Sequence, residues 1–150
     1  MKIKQTITIK EAEKSDAQAL AMLCGELGYP ASATDIERRL EVLCSDPEHV
    51  IFAAKDDAIL GWIHVTVIRS LESDPFAEIR GLVVTERHRG GGIGSQLVEA
   101  AEKWANGKKC GRIRVRTNIV RAEAHAFYRR MGYVSKKTQD VFDKLISSKT

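Results

Sequence analysis

The sequence predicts a mixed α/β fold, and three observations carry that prediction. Alternating β-branched segments are interleaved with stretches of helical periodicity along all 150 residues. Residues 79–84 form an apolar run that reads as a buried strand. Behind it, after a short charged turn, Gly90, Gly91, Gly92 and Gly94 open a helical pattern with Ile93, Leu97, Ala101 and Trp104 on one face.

The remaining elements follow in order. Residues 3–9 alternate and are β-branched, a first strand. Ser15 or Asp16 caps a helix carrying Leu20, Leu23, Cys24 and Leu27, which Gly28 and Pro30 stop. A second helix is expected after Thr34, with Glu37 completing a capping box and Ile36, Leu40 and Leu43 buried. Residues 49–55 and 59–68 read as a hairpin around Asp56-Asp57, and 69–75 as a loop leading to the glycine-bound strand. After the long helix, residues 107–111 turn the chain into an alternating strand over 112–117. Residues 122–131 form a short helix closed by Gly132, and two short strands near 133–137 and 139–145 complete the order βααβββαβαββ. No repeat, linker or low-complexity segment interrupts 1–150, so a single domain is expected.

A strand that ends in glycines at a helix N-terminus presents unpaired N–H groups at the positive end of the helix dipole, a site for phosphate oxygens. Glycine is needed because a Cβ would hold the phosphate off the backbone. Two familiar phosphate loops fail on spacing. The dinucleotide pattern GxGxxG needs glycine at Ser95 or at Leu97, and the Walker pattern needs Gly-Lys where Ser95-Gln96 stand. The pattern that fits is (Gln/Arg)-x-x-Gly-x-(Gly/Ala), here Arg89-Gly90-Gly91-Gly92-Ile93-Gly94. A glycine turn that only caps a helix would not call for four glycines and two arginines.

This run resembles the acyl-CoA pyrophosphate loop of the GCN5-related N-acetyltransferases, the GNAT superfamily, and the element order is similar over essentially the whole chain. A second stretch adds to it: Asn118 after a strand, then a helix ending Phe127-Tyr128-Arg129-Arg130-Met131-Gly132-Tyr133. The resemblance implies the acyl-CoA N-acyltransferase fold, with a mixed central sheet, and acetyl-CoA as co-substrate. It implies that Arg89, Gly90, Gly91, Gly92, Ile93, Gly94 and Ser95 hold the pyrophosphate. The main chain of Leu82, Val83 and Val84 would hold the pantetheine where parallel strands splay, and one N–H would polarise the thioester carbonyl. Asn118 would lie along the pantetheine arm and Tyr128 would face the sulfur. A phenol with an ordinary pKa near ~10 suits protonation of a departing thiolate. Two departures stand out: Thr85-Glu86 replace the commoner Asp-Pro, and Gly91 stands where Lys or Arg is frequent.

Glu78, in Phe76-Ala77-Glu78-Ile79, looks like the general base of the histone-acetyltransferase branch; a buried carboxylate can take the amine's proton directly or through water. A solvent-facing glutamate, or one bridged to a neighbour such as Arg80, is the plainer alternative. Tyr29, Phe76 and His64 are acceptor-side candidates, with the two aromatics placed to stack on substrate. Glu26, Glu72, Asp74 and Glu78 would make that side acidic and suit a small cationic amine: a polyamine, an aminoglycoside-like sugar or an amino-acid derivative. A protein lysine or N-terminus is the rival acceptor, and a non-catalytic acyl-CoA sensor the rival class.

Composition excludes other classes. The net charge of +4 comes with arginines gathered at 80–89 and 112–130, around the phosphate loop, rather than in a basic tail, so no nucleic-acid partner is expected. No apolar run approaches the ~20 residues of a membrane span, and the N-terminus lacks the apolar stretch of a signal peptide. Cys24, Cys44 and Cys110 fit neither a disulfide framework nor a metal knuckle and read as small core residues. Four scattered histidines give no metal site. A cytoplasmic enzyme is expected, and the final strands offer an edge for a homodimer.

Overall fold

A computed structural model describes residues 6–116 and 122–147. They fall into two compact units, one running to Arg116 and one beginning at Thr117. The first unit holds a five-stranded sheet in sequential order: β1 (Thr8–Glu11), β2 (His49–Lys55), β3 (Ile59–Ser70), β4 (Ser73–Val84) and β5 (Ile113–Val115). The first four pair antiparallel and β5 lies parallel to β4. Helices α1 (Ala17–Leu27), α2 (Ala33–Leu43) and α3 (Ile93–Gly107) belong to the same unit.

Strand alternation sorts the faces. Trp62 packs with Leu20, Ala21, Ile36, Leu40 and Ile51, so α1 and α2 cover its face. The next residue back, Gly61, faces Leu97 of α3. Ile63 and Val65, on that same side, are fully buried together with Leu97 and Val98. A Cβ on Gly61 would sit 2.7 Å from the Val83 carbonyl oxygen, so the two strands and α3 meet there only because the side chain is missing.

Element ends differ from the sequence reading in instructive ways. The second helix is capped by Ser32, with Asp35 as its reciprocal partner, two residues before the expected Thr34–Glu37 box. Both pairs have the right chemistry, and the earlier one lies closer to Pro30. The expected 69–75 loop is a two-residue turn: Ser70 pairs with Ser73, and β4 begins at once. Pro75 is tolerated in that strand because β5 joins only from Ala77 onward. Cys44 is exposed rather than core, its thiol directed at the Ala12 carbonyl at 3.8 Å.

The second unit contains α4 (Ala122–Arg130). Gly132 closes it at φ 92°, with Tyr133 N–H donating to Tyr128 O and Gly132 N–H to Arg129 O, a Schellman ending. The two final strands expected near 133–137 and 139–145 are not formed among the described residues. The apolar residues there, Val134, Val141, Phe142, Leu145 and Ile146, are exposed. Alternation marks a face but supplies no ladder, and a strand needs a bonded neighbour. No helix among the described residues is long and apolar enough to cross a membrane.

Replacing Gly61 by Ala is expected to destabilise the protein by about 1–3 kcal/mol through overpacking, or about 2–4 °C in Tm for each kcal/mol. Gly111→Ala, where nothing lies within 4 Å of the new methyl, is expected to leave Tm unchanged. Thermal unfolding of the two variants distinguishes a packing constraint from a general intolerance of alanine.

Candidate active site

The site begins where β5 leaves β4. Among the described residues the two strands pair over Ala77–Ile79, and β4 from Arg80 to Val84 has β3 on one edge and no described partner on the other. Thr85 N–H donates to Leu60 O at 2.8 Å. Antiparallel alternation then assigns Val83 to the ladder with Trp62 and turns the main-chain groups of Leu82 and Val84 to the open edge. The Val84 carbonyl on that edge accepts from Arg89 Nε at 2.9 Å.

The chain continues through a 3-10 turn, Glu86–His88, into the glycines. Gly90 and Gly92 have φ of 82° and 87°, a region L side chains rarely adopt, and Gly92 is the N-cap of α3. The first helical bond runs from Gln96 N–H to Gly92 O, so the N–H groups of Ile93, Gly94 and Ser95 have no partner within the helix. These are oriented donors at the positive end of the helix dipole, and a Cβ at Gly90 or Gly92 would meet no protein atom within 4 Å. The residues therefore fit a pyrophosphate. Glu26, at the end of α1, braces the turn by accepting from Glu86 N–H at 3.0 Å and Thr85 Oγ1 at 3.3 Å, with Arg89 Nη2 at 3.9 Å. Its charge is spent on the donor loop, whereas the sequence placed it on the acceptor side.

On the α1/α2 face of the sheet, a polar strip crosses four strands. His49 Nδ1 lies 2.9 Å from His64 Nε2, and Thr66 Oγ1 lies 3.3 Å from His49 Nε2. Burial, then His49 and Arg80, push the His64 imidazole down to about 4, so it is neutral at physiological pH. Paired across from Thr66 is Glu78, only 3% exposed. Its two oxygens accept from different strands: one from Arg80 Nη1, the other from Arg116 Nε at 3.1 Å. Arg80 is the extra residue of a β-bulge, since His64 pairs with Gly81 and Val65 with Ile79. The indole of Trp62 packs against Gly81, where a Cβ would stand 2.8 Å from the ring.

The other acceptor candidates divide. Tyr29 follows the glycine stop of α1 and is 73% exposed, available to a substrate. Phe76 is 5% exposed beneath the guanidiniums of Arg112 and Arg114, at 4.3 and 4.5 Å from its ring centroid, so it serves the core and leaves no open face for stacking. Sequence reasoning named neither Arg116 nor His49, and named Arg80 only as a possible partner of Glu78. The one signal for the arginines was their clustering.

In the second unit, Tyr128 is buried, edge-on to Phe127 and Tyr133 with centroids 5.1 and 5.5 Å away. Burial pushes its phenol up to about 12. Asn118 lies outside the described residues. Among those described, no group of His, Cys, Asp and Glu side chains could hold a metal ion.

A glycine-capped helix N-terminus beside strand main chain with an open edge defines an acyl-CoA-binding N-acyltransferase fold. Residues 15–133 match the model of the Acetyltransferase (GNAT) family, and the chain belongs to that family. It is an acyl-CoA-dependent N-acetyltransferase. It is 28% identical over 132 residues to an aminoglycoside N(6')-acetyltransferase type 1 of Stenotrophomonas maltophilia, covering 84% of this chain and 85% of that one. It is 32% identical over 128 residues to an aminoalkylphosphonate N-acetyltransferase of Salmonella typhimurium, covering 84% and 80%. The fold is shared with AAC(6')-Iy in complex with the bisubstrate analog CoA-S-monomethyl-acetylneamine, at TM-score 0.83 and 16% identity over 93% of this chain and 99% of that one.

The depressed His64 pKa has a consequence for stability. The unfolded chain binds this proton near ~6.5 and the folded chain only near 4. Stability is therefore whole above ~6.5 and falls as pH drops toward 4, by roughly 3 kcal/mol. His64→Asn is expected to flatten the denaturation midpoint between pH 6.5 and 4; an unchanged slope contradicts the assignment.

Proposed function

We propose that the chain moves the acetyl group of acetyl-CoA to the primary amine of a small molecule by direct attack, with Glu78 or water taking the amine's proton and Tyr128 acting as acid. The observation that carries this reading is that, among the described residues, the edge of β4 at Leu82 and Val84 has no strand partner and the N–H groups of Ile93, Gly94 and Ser95 have none within their helix. A family match over 15–133 crosses both compact units and supports reading 1–150 as one acetyltransferase domain. The names of the two curated relatives each specify a small amine as acceptor, which supports a small molecule over a protein.

Acetyl-CoA supplies the activated acyl group and a thiolate leaving group. The helix N-terminus and Arg89 neutralise phosphate charge, and main-chain groups of Leu82 and Val84 continue the ladder to the pantetheine, with one N–H toward the thioester oxygen. Asn118 extends that hold along the arm. At the reacting end, Tyr128 keeps its proton throughout the physiological range because its pKa lies near 12, so it meets developing charge on sulfur as a hydrogen-bond donor. Both oxygens of Glu78 already accept from guanidiniums, so a water relays the amine's proton to the carboxylate in place of direct contact. Tyr29 and His64 border the acceptor.

Thiol release from acetyl-CoA, measured against a panel of small amines, tests the proposal. Tyr128→Phe is expected to lower kcat by about 10²-fold, with KM for acetyl-CoA unchanged. In the parent enzyme, kcat is expected to show no alkaline decline from this group between pH 8 and 10, since it titrates near 12. An unaltered kcat in Tyr128→Phe, or acetylation of peptides and of no small amine, contradicts the reading.

A further inference from the structure

We propose that the acceptor amine carries an oxyanion, a carboxylate, phosphate or phosphonate, and that Arg80 and Arg116 bind it. The inference rests on the small-amine reading above and narrows its substrate class. Two guanidiniums converge on Glu78, Arg80 from its own strand and Arg116 from just beyond β5, and the three groups differ sharply in exposure. The carboxylate is 3% exposed, while the Arg80 and Arg116 side chains are 53% and 60% exposed. Each guanidinium therefore has one edge on a buried anion and the other toward solvent. Of the five N–H donors on each, only those facing Glu78 have a partner among the described residues. A planar fork with unused donors is the geometry that takes an oxyanion in two parallel bonds.

The charge balance points the same way. Asp46 stands 3.9 Å from His49 at one end of the strip, while at Glu78 two positive groups meet one negative group, so that end is left cationic. His64 beside them adds no charge at neutral pH. The other acidic groups that would have favoured a polycation are elsewhere: Glu26 is bound to the turn after β4, Glu72 is in the turn between β3 and β4, and Asp74 lies four residues up the strand, ~13 Å from Glu78. Glu78 thus orients the two arginines as well as standing near the amine, and a polycationic acceptor would approach against them.

A matched set of amines with a two-carbon spacer provides the test: 2-aminoethylphosphonate and 3-aminopropanoate against 2-aminoethanol and 1,2-diaminoethane, read by thiol release with acetyl-CoA. The anionic pair is expected to show kcat/KM at least tenfold above the others. Arg80→Lys and Arg116→Lys keep the charge that Glu78 needs and remove the fork. They are expected to raise KM for the anionic amines severalfold, with KM for acetyl-CoA unchanged. Equal or better turnover of 2-aminoethanol or the diamine overturns the proposal, as does an equal effect of the lysine variants on all four amines. A second readout is independent of turnover: 2-aminoethylphosphonate at millimolar concentration, with CoA present, is expected to raise Tm of the parent protein and not of Arg80→Gln/Arg116→Gln. Absence of that shift in the parent overturns the anion site even if acetylation of another amine upholds the enzyme reading. A shift without turnover upholds the anion site and removes the catalytic one.

Discussion

Among the described residues, β4 from Arg80 onward has a bonded neighbour on one edge only. Main-chain N–H and C=O groups that lose a partner must find another, and the surrounding structure is arranged around that requirement. Arg89 satisfies the Val84 carbonyl from the loop that follows, which fixes the loop to the strand it leaves. Glu26 then ties the same turn to the end of α1. With both ends held, the positive φ angles of Gly90 and Gly92 deliver the N-terminus of α3 beside the open edge. The proposed donor site is thus made of backbone, with Arg89 and Glu26 holding that backbone in place.

A second constraint is the buried charge of Glu78. A carboxylate at 3% exposure is sustained only by close cationic partners, and the sheet supplies them through the Arg80 bulge and the residue that follows β5. The bulge sets Arg80 outside the regular register of β3 and β4, where its guanidinium reaches the Glu78 carboxylate.

Most strands and helices up to β5 were legible because each carries its own signal: period-2 alternation in β2 and β3, an apolar stripe in α3 and the glycine stop at Gly28; the first strand runs Thr8–Glu11, later than the alternation over 3–9 suggested. The glycine loop was legible because only glycine tolerates φ near 87° at a helix start. What could not be read was pairing between distant positions. Glu26 meets Glu86 across sixty residues, and Arg116 meets Glu78 across thirty-eight. Charge composition suggested an acidic acceptor side, yet partner choice in three dimensions neutralised Glu26 and Glu78. Phe76 looked like a stacking platform until Arg112 and Arg114 were found over its ring. The C-terminal pattern gave apolar faces but could not specify a ladder partner.

The central claim, that unpaired main chain of β4 and of the first turn of α3 binds acetyl-CoA, is tested most directly by amide hydrogen exchange resolved to single residues, with and without saturating acetyl-CoA. Exchange at Leu82, Val84, Ile93, Gly94 and Ser95 is predicted to slow on binding, while Val83, already in the β3 ladder, changes little. Unchanged exchange at those five amides in protein that demonstrably binds acetyl-CoA would contradict the claim and place the donor elsewhere.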